Sequence, residues 1–455
     1  MPDESISDVE PSTESEPSPT LSPPHVTHPR VVKIHLGRPC RVKSVILTGL
    51  SRTKSDYLTD RVKGVLDLSN YQELLEGIAE KRDELSNMGI FKKVDVVLDR
   101  GSGLEDILVK FNVIERNITA KVGVEVGDNA ATGTMSLSLP NLWGRGEKLS
   151  VQCAAPNPGS DRSRDYKFSL QKPYSGGAVE NLEISLGRTD YQLEHYNSSN
   201  LSHRAEASCA LNSFIGRHIL SLDCDWRQFT PRYTRTSLHL REHAGHSLKS
   251  AIRHTLFVDS RDNTKVISPG VYLSTTQEYS GLIPDSSKYL KAEIQSEANM
   301  PLFAGIILSI TGRTGYLHSL RDTTHPLDRF LLGGPTTLRG FNLWGLSPRD
   351  RDCSLGANTY WAGGAHLFSP LPFWSDGLGQ YFKLHAFATV GNLFNIKRDT
   401  SIREVSDGFR LSVGLGFLWK ISYIRLEVNW CQVLLSSRRD SFNPGLQFGV
   451  GMDFL

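Results

Sequence analysis

The sequence predicts a mainly β protein: a transmembrane antiparallel barrel of about fourteen to sixteen strands, preceded by one small α+β domain and a disordered tail. Three observations lead there. Beyond Asn117 nearly every segment alternates apolar and polar residues. Many of those runs approach the nine to eleven residues that cross a bilayer at a tilt, as a general rule for such barrels. The chain also stops inside an alternating run, Gly445 to Leu455, where a soluble fold would leave a bare edge.

Totals set the outer bounds. At 455 residues there is material for two or three domains. A formal charge of +2 offers no basic field for nucleic acid. No run of eighteen apolar residues is present, so no transmembrane helix is expected. A barrel escapes that test, because only alternate residues of each strand meet lipid. The six cysteines, Cys40, Cys153, Cys209, Cys224, Cys353 and Cys431, lack metal-ligand spacing and read as free thiols. His239, His243 and His246 lie close together without a carboxylate or Cys at ligand spacing, and read as strand and loop residues. No metal and no cofactor are expected.

Residues 1–30 are rich in Ser, Pro, Asp and Glu, with almost no large apolar side chains, and should be disordered. They show neither the basic start and apolar core of a secretory signal nor the arginine-rich amphipathicity of a cleavable presequence.

Residues 31–116 form the small domain. Val42, Val45 and Leu47 mark a strand ending at Gly49. Tyr57, Leu58, Arg61, Val62 and Val65 recur at helical spacing behind Thr53, the expected N-cap. A second helix reads from a Ser69/Gln72 capping box, through an apolar stripe of Leu74, Leu75, Ile78, Leu85 and Met88, to Gly89 at the C-cap position. Strands follow at Phe91–Leu98 and Ile107–Val113 across an Arg100-Gly101-Ser102-Gly103 turn. Two helices on one face of a three-stranded sheet are implied.

Residues 117–455 carry the barrel. Leu220, Leu222, Cys224 and Trp226 alternate with Ser221, Asp223 and Asp225; Ile424, Leu426, Val428 and Trp430 alternate with Arg425, Glu427 and Asn429. A period of two gives each strand one apolar and one polar face. Apolar faces packed together would make a soluble sandwich, and apolar faces turned outward a membrane barrel. Strand length, the length of the tract and its aromatic punctuation favour the barrel.

One stretch departs from alternation. Phe330 to Phe341 contains the paired glycines Gly333 and Gly334, a proline, and Leu338-Arg339-Gly340-Phe341. Glycines allow a tight fold-back, and a single arginine held among apolar residues calls for a carboxylate. This tip resembles the luminal-loop motif of the outer-membrane barrel-assembly superfamily. The order of elements in 31–116, with Gly49-Leu50 and Met88-Gly89-Ile90-Phe91, is similar to a POTRA (polypeptide-transport-associated) domain. In the last strand, Gln447, Gly449, Met452 and Phe454 fill the fixed positions of a mitochondrial β-signal. Pro140-Asn141-Leu142-Trp143-Gly144-Arg145-Gly146-Glu147-Lys148 and Tyr360-Trp361-Ala362-Gly363-Gly364 match as well. Together these resemble the central barrel subunits of the mitochondrial sorting and assembly machinery.

That resemblance implies sixteen strands and a non-enzymatic insertase for β-barrel precursors. It further implies a place in the mitochondrial outer membrane with the POTRA domain in the intermembrane space, and precursors, accessory subunits and lipid as partners. A lateral gate is implied between the first barrel strand, Ile118 through Gly123 to Val126, and the last. Relatives pair the loop arginine with an acid on the strand after the loop; this chain has His366 there, so Asp407 is the expected partner of Arg339. The competing reading is a passive or protein-translocating channel, of secretion type or from a plastid envelope. An enzyme is not expected, since no Gly-x-Ser-x-Gly, His-Glu-x-x-His or P-loop pattern occurs.

Overall fold

The computed structural model describes residues 39–451, apart from 102, 104, 128–129, 157–163, 175–176, 233–234, 263–266, 322, 347, 372–380, 397–407 and 422–423. The tail, Asp407, Met452 and Phe454 therefore lie outside the described residues.

The small domain runs β1 (Arg41–Thr48), α1 (Ser55–Val62), α2 (Tyr71–Asn87), β2 (Phe91–Arg100) and β3 (Asp106–Glu115). β3 is central, parallel to β1 and antiparallel to β2. The alternation of Ile107, Val109, Phe111 and Val113 puts all four against Leu58, Val62, Leu74, Ile78 and Leu85 of the helices. Gly49 and Gly89 both have positive φ, 88° and 71°, as their turn and C-cap positions require.

Two expected caps do not form. α1 begins behind Lys54, and α2 behind Asn70, neither with a side-chain cap hydrogen bond. The Thr53 hydroxyl is taken by Glu115, 62 residues away, and the Ser69 carbonyl receives Cys40 N–H from the start of the sheet. At Thr53 a long-range partner outcompetes the local one; at Ser69 the helix starts one residue later than the capping box requires, with Asn70 at its N-cap.

The barrel strands are β4 (Thr119–Gly127), β5 (Ala130–Pro140), β6 (Lys148–Pro156), β7 (Arg164–Pro173), β8 (Val179–Leu193), β9 (Ser198–Asn212), β10 (Arg217–Pro231), β11 (Gly245–Asp259), β12 (Gly270–Ser280), β13 (Tyr289–Pro301) and β14 (Ile307–Ser319). After the long loop, with its small hairpin β15 (Arg349–Asp350) and β16 (Cys353–Ser354), come β17 (Thr359–Pro370), β18 (Phe382–Phe394), β19 (Arg410–Ile421), β20 (Ile424–Leu435) and β21 (Gly445–Gly451). One sixteen-stranded sheet results, each strand antiparallel to its neighbour, with β4 and β21 at its two ends. The two end strands approach within 8 Å between Cα atoms, so the sheet curls round on itself.

The faces turn as a membrane barrel requires. Leu220, Leu222 and Trp226 of β10 are exposed, whereas Asp223, Asp225 and Arg227 of the same strand are buried. Ile184 and Leu186 of β8, and Leu415, Phe417 and Trp419 of β19, also face outward. Ion pairs fill the lumen: Arg253 meets Asp223 at 2.9 Å and Glu278 at 2.9 Å, and Lys249 meets Glu278 at 2.8 Å. A polar interior under an apolar wall is the reverse of a sandwich.

Candidate functional site: loop tip and seam

The chain between β14 and β17 folds into the lumen and carries its own apolar cluster, in which Phe330, Leu332, Leu338, Phe341 and Leu346 pack against Tyr289, Tyr360 and Leu393 of the wall. Phe330 and Ala357 exchange two backbone hydrogen bonds of 2.9 Å, closing the loop at its base. Gly333, Gly334 and Gly340 all have positive φ. A Cβ on Gly333 would lie 2.8 Å from the Asn342 carbonyl oxygen, so only glycine permits this fold-back.

Arg339 is wholly buried, and its partner is Glu427 on β20. Nε donates to Oε2 at 3.0 Å, and Nη2 lies 2.9 Å from the same oxygen. Glu427 is also met by Arg425 at 2.5 Å and by Asn429 Nδ2 at 2.8 Å. The guanidinium lies 5.1 Å from the centre of the Phe387 ring. Asp407, the partner expected from the sequence, lies outside the described residues; among the described residues the tip reaches past the strand after the loop to Glu427 on the luminal face of β20. His366 borders the same network: it contacts His385 at 3.0 Å, and His385 contacts Asn429 at 3.2 Å. Sequence reasoning placed Glu427 on a polar strand face beside Arg425 and Asn429 but did not pair it. Its position on the luminal face of a late strand was the available signal.

A second ion pair, not foreseen, holds the loop's entry. Asp328 accepts from Arg227 of β10 through both oxygens, at 2.9 and 3.1 Å, and from Tyr289 at 3.2 Å. β10 and β20 stand tenth and second from the β21 end of sixteen strands, so the two anchors lie on opposite walls.

The tip is also fastened to the last hairpin. Gln447 of β21 accepts from Gly340 N–H at 2.8 Å and donates to the Phe341 carbonyl at 3.0 Å. Asn443 N–H donates to Gly340 O, and Asn342 binds Ser441 through backbone and side chain. Gly449 stands across the ladder from Glu427 and places no side chain beside the ion pair. On the other side of the seam, Ile118 is 70% exposed just before β4, Gly123 pairs with Thr134, and Val126 pairs with Ala131. Among the described residues every neighbouring pair in the sheet has a ladder, and none joins β4 to β21.

The Pro140–Lys148 stretch serves a different junction. It docks the β5–β6 turn on the small domain: Gly144 O accepts from Lys54 N–H at 2.9 Å, Asn141 Nδ2 donates to Thr53 Oγ1 at 2.6 Å, and Arg145 pairs with Asp56 at 2.8 Å. Behind it, Glu115 collects the N–H groups of Ser51, Arg52 and Thr53 and both neighbouring hydroxyls. Burial alone would raise its pKa, but these hydrogen bonds outweigh it and hold the carboxyl down to about 2. All six cysteines are free, and His239 lies in a single helical turn, α3 (Leu238–Arg241), rather than a strand.

Compared with known families, residues 141–454 match the Omp85 superfamily domain. The chain belongs to the Omp85 superfamily. Among Omp85-related proteins it is 32% identical to the sorting and assembly machinery component 50 homolog of Bos taurus, over 91% of this chain and 90% of that one. It is 29% identical to the SAM50-like protein CG7639 of Drosophila melanogaster, over 91% and 95% respectively. Its fold is similar to BamA from Haemophilus ducreyi lacking POTRA domains 1–3, with a TM-score of 0.73 at 15% identity, covering 91% of this chain and 85% of that one.

Proposed function

We propose that this Omp85-superfamily protein inserts and assembles β-barrel precursors in the mitochondrial outer membrane, with its POTRA-like domain in the intermembrane space and accessory subunits alongside. The names of its relatives as components of a sorting and assembly machinery support that setting. The observation that carries the mechanism is the seam: β4 and β21, the two ends of the sheet, lie within 8 Å of each other, and the Arg339 tip grips β20 and β21 together.

In this reading the seam parts, and the free edge of β4 takes the last strand of a precursor by β-augmentation. Backbone groups exchange one partner for another, so none meets lipid unpaired. No covalent step and no cofactor are required. A lumen packed with the loop's apolar cluster speaks against a passive open channel.

The test is to seal the seam. In a protein whose native cysteines are replaced, Gly123→Cys with Gly449→Cys should crosslink on oxidation, stop insertion of a labelled precursor, and recover on reduction. Undiminished insertion by the sealed protein would overturn the gate. Release of the protein from mitochondria by alkaline carbonate would overturn the membrane setting.

A further inference from the structure

A cleft of about 620 Å³ lies between the small domain and the end of the barrel where β4 begins. One side of it is built from α1 and the end of α2, through Arg61, Glu84 and Asn87; the other comes from β4 to β8. Val122 and Val151 are exposed on the outer wall, so Lys121 and Lys148, one and three residues from them, belong to the luminal face.

The cleft is electropositive. Arg61, Arg116, Lys121 and Lys148 line it against two acids, Glu84 and Glu180. Both acids are already held by other cations, Glu84 by Lys81 at 2.8 Å and Glu180 by Arg217 at 2.7 Å. Lys121 and Lys148 are exposed, and among the described residues their ammonium groups have no ion-pair or hydrogen-bond partner.

The missing countercharge is present elsewhere in the chain. Residues 1–29 hold six acids, Asp3, Glu4, Asp8, Glu10, Glu14 and Glu16, and no Lys or Arg. With Arg30 counted, residues 1–30 carry a formal −5, which leaves +7 on the rest of a chain whose total is +2.

The distances allow the two to meet. Pro39, the first described residue, is bridged to Asn70 at the start of α2, whereas Asn87 at the end of α2 lines the cleft. Those ends are 17 helical residues apart, about 25 Å. Glu16 lies 23 residues before Pro39, and a linker of that length reaches about 25 Å as a flexible coil and about 70 Å as an extended Pro-rich run. The acids therefore arrive without a taut chain, and the tether holds them at an effective concentration of roughly millimolar.

We propose that the cleft is the docking site of the chain's own acidic segment, Asp3–Glu16, seated by carboxylate contacts to Lys121 and Lys148. Docked, the segment lies on the luminal side of the start of β4. Contacts between exposed charges are individually weak and screened by salt, so the seat is releasable. Docking of the tail does not depend on strand exchange at the seam.

The experiment is carbodiimide coupling, which joins a carboxylate to a neighbouring lysine as an amide, on the full-length protein in lipid nanodiscs at low salt. Trypsin releases residues 1–30 as one peptide, so its lysine partners are mapped by mass spectrometry. Lys43 and Lys63, exposed on the small domain and outside the cleft, serve as references. Coupling of the tail to Lys121 and Lys148 should exceed coupling to the references about fivefold, and fall to their level in about 0.5 M salt. In the full chain with Lys121→Gln and Lys148→Gln, coupling to Lys43 and Lys63 should rise as the segment is released. Equal coupling to all four lysines in the wild type, or a cleft signal indifferent to salt, overturns the site. Coupling of Lys121 and Lys148 to an added labelled precursor in preference to the tail makes the cleft a client site and overturns the tail as its occupant.

Discussion

Arg339 and Glu427 face each other across the lumen wall with no exposed surface on either side chain, yet the carboxylate serves two arginines. Removing the two partners should therefore not cost the same. Arg339→Ala leaves Glu427 held by Arg425 and Asn429, an expected loss of about 1–3 kcal/mol. Glu427→Gln removes the one carboxylate that both arginines share, about 3–5 kcal/mol. Arg339→Lys keeps the charge but loses the planar fork. Thermal unfolding in detergent should rank Glu427→Gln below Arg339→Ala; the opposite order would mean that Arg425 finds compensation elsewhere.

The Arg227–Asp328 pair is the loop's other fixed point, on the opposite wall. A strut held at both ends transmits the loss of either. Asp328→Ala should raise hydrogen exchange at Leu338–Phe341, although that tip is ten or more residues away. The exchanged pair Arg227→Asp with Asp328→Arg should restore part of the protection. Unchanged exchange at the tip in Asp328→Ala would confine Asp328 to a local role.

Much of this architecture is visible in the sequence because a two-residue period is local: Leu220 and Asp223 declare opposite faces whatever the barrel's tilt. The tip motif was likewise legible from its glycines. What could not be read is which strand the tip reaches. Glu427 lies 88 residues from Arg339, and the choice between neighbouring strands depends on how far the loop crosses the lumen. Thr53 shows the same limit: its capping chemistry is real, but Glu115 and Asn141, brought in by the fold, claim the hydroxyl.

Glu115 makes the small domain's junction sensitive to acid. Its folded pKa, about 2, lies below the value of about 4.3 for an unfolded chain, so it contributes stability in full above that range. The contribution is lost as pH falls from about 4.5 through 2. Hydrogen exchange at Ser51–Thr53 should rise over that window in the wild type. In Glu115→Gln it should be high already at pH 7 and flat below. A wild-type profile without a step there would show that the five donor groups are not holding the carboxylate.

The β5–β6 turn tests whether the small domain is docked or merely tethered. Gly144 has φ 87°, and a Cβ would sit 2.4 Å from the Arg52 carbonyl oxygen, backbone against backbone with no flexible side chain to yield. Gly144→Ala should thus break the Lys54–Gly144 hydrogen bond and expose the connection at Arg116–Ile118 to protease. Gly177→Ala, in an exposed turn where a Cβ would meet nothing within 4 Å, is the matched control and should leave cleavage unchanged. Neither substitution touches the barrel's lumen, so heat stability of the barrel should be equal in both. Faster cleavage in Gly144→Ala alone identifies a docked domain; equal cleavage in the two would mean that the contacts through Asn141 and Arg145 do not hold the domain in place.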